Sequence, residues 1–134
     1  MKNFLFVLLA LFVFAGINGC SKDSNDVTGT TGGGNHNPDE PSNPSPGNNA
    51  TNVSRQNLTI SWDCTDPDQG DTLRYDVIMG TSSNPSTIIS SDQLAKSYHI
   101  VILQANATFY WRIVAKDNHG SFTNGPVWKF TTGN

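Results

Sequence analysis

The densest run of side chains able to do chemistry is Asp63-Cys64-Thr65-Asp66-Pro67-Asp68-Gln69-Gly70-Asp71; with Asp76 it holds five of the seven acidic residues after Ala50. Carboxylate oxygens crowded into one loop suit calcium, a hard ion that takes roughly six to eight oxygen ligands. Asp66, Asp68 and Asp71 are therefore candidate calcium ligands, and calcium is the one cofactor the sequence suggests. The EF-hand register fails, because Gly70 stands at the third acidic position and Val77 where the bidentate glutamate belongs. The same residues also make a tight connection, with Asx turns at the aspartates and positive φ at Gly70. Either use accounts for the composition.

The remaining reactive groups are scattered. His36, His99 and His119 share no metal-binding spacing, and no serine or cysteine nucleophile has a base beside it in sequence. Cys64 continues the apolar parity of Leu58, Ile60 and Trp62, which makes it a buried, inert thiol. The expectation is a protein that is not an enzyme. A net charge of −3 and a pI of about 5.4 provide no basic field for a phosphate backbone, so nucleic acid is excluded as the expected partner.

The elements that must carry these residues are strands. From Ala50 onward apolar residues recur with period two, and turn signals arrive at sandwich or barrel spacing. The pattern predicts seven strands, near Ala50–Val53, Leu58–Asp63, Leu73–Met79, Thr87–Ser90, Tyr98–Ile102, Phe109–Lys116 and Val127–Thr132. Inward parity gathers Ile60, Trp62, Tyr75, Val77, Met79, Phe109, Trp111, Ile113, Ala115, Trp128 and Phe130 into one aromatic-rich core. Outward parity puts Ile78, Tyr110 and Val114 beside an expected Asp76/Arg112 pair. Ile78, Tyr110, Arg112 and Val114 are thus the candidate partner-binding residues. Strand reversal places the leading segment and the loops 63–72, 92–96 and 118–126 at one pole.

Trp62, the Tyr75-x-Val77 pair, and the run from Leu103 to Ala115 leading to Phe130-Thr131-Thr132 resemble a fibronectin type III domain of bacterial surface proteins. The resemblance covers Pro46 to Thr132. It implies an all-β, seven-stranded immunoglobulin-like sandwich and a role as a binding module or spacer. Phe109 stands where this family has its corner tyrosine, so the hydroxyl that ties the preceding turn to the sandwich is missing.

Ahead of the domain, Lys2 and the apolar run Phe4 to Ala15 form a secretory signal too short for a membrane span of roughly 20 residues. Ile17-Asn18-Gly19-Cys20 resembles the bacterial lipobox, which implies lipidation of Cys20 and residues 1–19 as a cleaved signal. The polar residues after Cys20 resemble the export signals of Bacteroidetes surface lipoproteins. Residues 20–49, rich in Gly, Pro and Asn, read as a disordered tether, and 50–134 as the sandwich. The expected protein is anchored in the outer membrane by lipid, on the cell surface or the periplasmic face. It carries a monomeric domain that meets a protein or glycan, or else serves as a spacer subunit of a larger envelope assembly.

Overall fold

The computed structural model describes residues 34–134; the signal, Cys20 and the start of the tether lie outside the described residues. Among the described residues nine strands form: β1 (Ser42–Ser45), β2 (Ala50–Val53), β3 (Gln56–Asp63), β4 (Arg74–Gly80), β5 (Ile88–Gln93), β6 (Ser97–Ile102), β7 (Thr108–Lys116), β8 (Phe122–Asn124) and β9 (Trp128–Thr132). A three-stranded sheet runs β1-β3-β6, and a six-stranded sheet runs β2-β9-β7-β4-β5 with β8 also on β7. The protein is an all-β sandwich of two sheets.

Alternation explains why these segments become strands. Along β7, every second residue from Phe109 to Ala115 is buried while Tyr110, Arg112 and Val114 are only half-covered. Trp111, Ile113, Tyr75, Val77, Ile60 and Phe130 are at most 1 % exposed. Each such side chain contributes about 1.5–3 kcal/mol of apolar burial. Across the core Trp62 meets Tyr75 edge-on with centroids 5.4 Å apart, and within the large sheet Trp111 lies 4.8 Å from its cross-strand neighbour Trp128.

Two boundaries differ from the sequence expectation. The expected tether through residue 49 ends earlier, because residues 34–49 belong to the sandwich. Ser42 and Ser45 pair with Asp63 and Ser61 of β3, and Pro38 and Pro41 are buried. A proline ring is apolar, its φ is already fixed, and it loses no side-chain entropy on ordering. A segment poor in larger apolar residues can therefore still pack. Ala50–Val53, expected as the first strand, is the second, and it lies parallel to β9.

The last expected strand, Val127–Thr132, forms as β9, and a short strand that the pattern did not predict, β8, precedes it. Between β8 and β9 the Gly125 amide donates to the Ile113 carbonyl at 2.8 Å. A Cβ on Gly125 would lie 3.0 Å from that carbonyl oxygen and 3.2 Å from the Pro41 ring. A larger residue there would press on the Ile113 carbonyl and the Pro41 ring, so the break favours glycine.

Candidate functional site

One pole is built by the leading segment, the β3–β4 loop and the β7–β8 loop. Register requires this: β1 enters beside Asp63, and Asp63 and Lys116 end their strands at the same side. Lys96, just before β6, is held there by the Trp62 amide, which donates to its carbonyl at 3.1 Å.

The aspartates of this pole divide into two groups. Asp66, Asp71 and Asp117 bring one carboxylate oxygen each within 4.8 Å of one another. Asp117 is 8 % exposed, and the Asp71 side chain is also 8 % exposed. Asp117 accepts the amides of His119 and Ser121 at 2.8 Å and the side-chain amide of Asn35 at 2.7 Å. Burial would raise its pKa, but these donors outweigh burial and hold it below the usual carboxylate range. Asp71 meets His119 Nδ1 at 3.1 Å. Asp66 Oδ1 accepts the Asp68 amide at 2.8 Å, while its Oδ2 is shielded from solvent and has no hydrogen-bond partner.

Asp68, a candidate ligand in the sequence reading, turns away from this cluster. Its carboxylate accepts the His36 amide at 2.6 Å and lies 2.9 Å from His36 Nδ1. The hydrogen bond from His36 lowers Asp68 and raises His36. Sequence proximity suggested Asp66, Asp68 and Asp71; the fold replaces Asp68 with Asp117, which comes from a different loop. An Asp-Asn-His-Gly turn at 117–120 was the available signal, but nothing in the sequence says which loops meet. Three clustered carboxylates, one with an unpaired oxygen, have the donor chemistry to hold a hard cation.

Beside the cluster lies an open depression of about 470 Å³, rimmed by Asp66, Asp71, Leu94 and Lys96 and floored by Cys64 and Tyr75. Burial pushes the Cys64 thiol up to about 11, against a smaller opposing effect of Lys96. Its Sγ donates to the Asp39 carbonyl at 3.2 Å. At neutral pH Cys64 is therefore a thiol rather than a thiolate. Burial likewise pushes the Tyr75 hydroxyl upward.

The outward flank differs from expectation in two respects. The expected Asp76/Arg112 pair does not form: Asp76 is opposite Val114, and Lys116 binds Asp76 at 2.8 Å and Asp92 at 3.3 Å. Arg112 and Lys116 are both diagonal neighbours of Asp76, and the second carboxylate from β5 decides for Lys116. Burial would raise Asp76, but Lys116, the Asp92 amide and the Ser91 hydroxyl keep it below the usual range. Ile78, only 7 % exposed, adds little accessible surface, while Tyr110, Arg112 and Val114 are half-buried. The exposed apolar groups on this face are Ile88, opposite Ile78, and Phe122, opposite Lys116.

The far pole supplies what Phe109 lacks. The Thr132 hydroxyl donates toward the Gln104 carbonyl at 2.7 Å and accepts the Ala107 amide at 3.0 Å. The Thr132 amide donates to the Ala107 carbonyl at 3.0 Å. A threonine at the end of the last strand thus ties down the turn that a corner tyrosine would hold, and sequence alignment on strand position alone misses it.

No protein-family profile and no curated protein matches the chain. Solved structures do. The fibronectin type III domain of human fibronectin type III domain containing protein 3 is 19% identical over 76% of this chain and 92% of that one, with a TM-score of 0.52. The fibronectin(III)-like modules of Clostridium thermocellum CbhA are 17% identical over 70% of this chain and 47% of that one, with a TM-score of 0.51. The Streptomyces avermitilis α-L-rhamnosidase is 17% identical over 72% of this chain with a TM-score of 0.53, and the chain spans 10% of that enzyme. The described residues form a fibronectin type III-like β-sandwich.

Proposed function

We propose that this chain is a lipid-anchored, non-enzymatic cell-envelope protein whose fibronectin type III-like sandwich is a binding module for a protein or glycan. The observation that carries the reading is Ile17-Asn18-Gly19-Cys20 at the end of an apolar run, a short way ahead of a sandwich that begins by residue 34. A diacylated cysteine is a stable anchor, since each buried methylene contributes about 0.8 kcal/mol. The leading segment joins the sandwich at the acidic pole, through Asn35 to Asp117 and His36 to Asp68. The described chain therefore enters the sandwich at that pole. The Thr132 pole and the flank of Tyr110, Arg112 and Val114 are left free to meet a partner.

A second reading is an accessory spacer within a larger assembly. It is favoured by the similar sandwich being a tenth of the rhamnosidase chain. Fatty-acid labelling of cells expressing wild type and Cys20→Ala tests the anchor: label on wild type alone is expected, and equal labelling of both refutes it. Cross-linked capture from intact cells then separates the roles. A partner lost with Tyr110→Ala supports the binding module, and a stoichiometric complex indifferent to that change supports the spacer.

A further inference from the structure

Among the described residues five strands lie at sheet edges, and four carry features that discourage further pairing; of these β8, beside β7, is only three residues long. β1 is four residues long, contains Pro44 and has an irregular register with β3. β2 is equally short and irregular. β5 shifts register twice against β4 and holds Asp92 at φ 55.

β6 has none of these features. Its sequence, Ser97-Tyr98-His99-Ile100-Val101-Ile102, lacks Pro, Gly, Asp, Glu, Lys and Arg. It keeps an unbroken register with β3 from Ser97 to Ile100, resumed at Ile102. Val101 is 68 % exposed and Ile102 61 %.

The ladder fixes which backbone groups remain open. Trp62 donates to the Lys96 carbonyl, so the even-numbered residues of β6 turn their amides and carbonyls toward β3. Ser97, His99 and Val101 turn theirs outward. The Ser97 carbonyl already accepts Gln93 Nε2 at 2.9 Å, which leaves His99 and Val101 open to a further strand.

Beneath that edge the sheets part. A cleft of about 320 Å³ lies between them, lined by Met79, Ile89, Tyr98, Ile100, Leu103 and Phe109. It exists because the small sheet stops at β6 while β4 and β5 of the large sheet continue opposite.

We propose that β6 pairs antiparallel with β6 of a second copy of this chain, across a two-fold axis at Ile100. His99 of each copy then exchanges backbone hydrogen bonds with Val101 of the other, and Ile100 faces Ile100. Each copy gains a fourth strand in its small sheet, and Tyr98 and Ile102 of the second copy flank the cleft. A second copy fits for two reasons. The strand presents no charge, so a two-fold arrangement sets no like charges against each other. The chain also carries both halves of the interaction, the open edge and a strand with the same alternation. One strand pair buries less than the roughly 1,200 Å² of a standard interface, so the association is weak and concentration-dependent.

The test uses the intact chain with two readouts. In the pairing ladder Ile100 faces its copy at a non-hydrogen-bonded position, where Cα atoms approach to about 4.5 Å, within disulfide range. Ile100→Cys should cross-link to a dimer under mild oxidation, while Ser91→Cys on β5 should not. Sedimentation at about 0.5 mM, where weak pairing is populated, should give a mass approaching twice that of the chain. Val101→Lys, at an exposed position, should return the mass to that of one chain with the thermal midpoint unchanged, and Val101→Thr should keep the dimer. A chain that remains single at that concentration, or that dimerises equally with Val101→Lys, overturns the proposal. So does Val101-dependent binding of an alternating apolar peptide by a chain that does not self-associate.

Discussion

The two poles of the sandwich are fastened by different chemistry. The pole at the leading segment is tied by Asp66, Asp68, Asp71 and Asp117 with His36, His119 and Asn35, so its bonds depend on charge state. The opposite pole is closed by the Thr132 hydroxyl and by backbone pairs such as Leu103 to Arg55 and Gly133 to Val53. No carboxylate side chain or histidine takes part in those bonds. One end of the same fold should respond to pH and ions, and the other should not.

The largest effect should come from removing the leading segment. A chain starting at Ala50 lacks β1, Pro38 and Pro41, and with them the Asn35 and His36 ties. It should lose cooperative unfolding, because a small domain has only about 5–15 kcal/mol to lose. A sharp thermal transition for that chain, matching one that starts at Gly34, would mean that the pole contributes little. Next is Thr132→Val at the other end, which leaves the Gln104 carbonyl and Ala107 amide without their side-chain partner. The expected loss is about 1–3 kcal/mol in urea unfolding, with Thr132→Ser retaining most of the stability.

The charged pole should also set the pH response. Asp68 and Asp117 have folded pKa values below their ordinary 3.8, so the stability they add is present above that value and is lost as pH falls through the folded one. His36 is raised above 6.5, so its contribution is complete below 6.5 and is lost as pH rises through the folded value. Stability from this pole should peak between these limits. In NMR titrations the His119 and Ser121 amides should shift with acid, while those of Ala107 and Thr132 hold still. A smaller effect concerns the three clustered carboxylates. Asp66→Asn keeps the bond to the Asp68 amide and removes one like charge, so it should raise the thermal midpoint slightly in chelator. A rise of the wild-type midpoint in millimolar calcium that Asp66→Asn abolishes would identify the cluster as a cation site.

Legibility followed the range of the interaction. Period-two alternation identified every aromatic residue of the core, because the inward face of a strand is a local property of the chain. The ordered segment at 34–49 was hidden because its packing rests on Pro38 and Pro41, whose rings count as tether in a composition reading. Asp117 in place of Asp68, and Lys116 in place of Arg112, were hidden for another reason. Both depend on which loops and strands become neighbours, and several choices satisfy the same alternation.

The smallest predicted effect is the most informative about that last class of error. With the corner tyrosine absent, sequence reasoning expects Phe109→Tyr to be neutral or, by restoring a missing bond, to stabilise the domain. The structure removes the motive. The turn from Gln104 to Ala107 is already satisfied by Thr132, and Phe109 packs against Phe130 with centroids 5.8 Å apart while lining the cleft under β6. A hydroxyl added there finds the turn acceptors occupied, and the cleft spares it full burial. Phe109→Tyr alone should therefore change stability by less than about 0.5 kcal/mol. In a Thr132→Val background the same change should recover part of the loss, if the hydroxyl reaches the freed carbonyl. Equal effects in both backgrounds would show that the two corners act independently, a coupling that a double-mutant cycle measures directly.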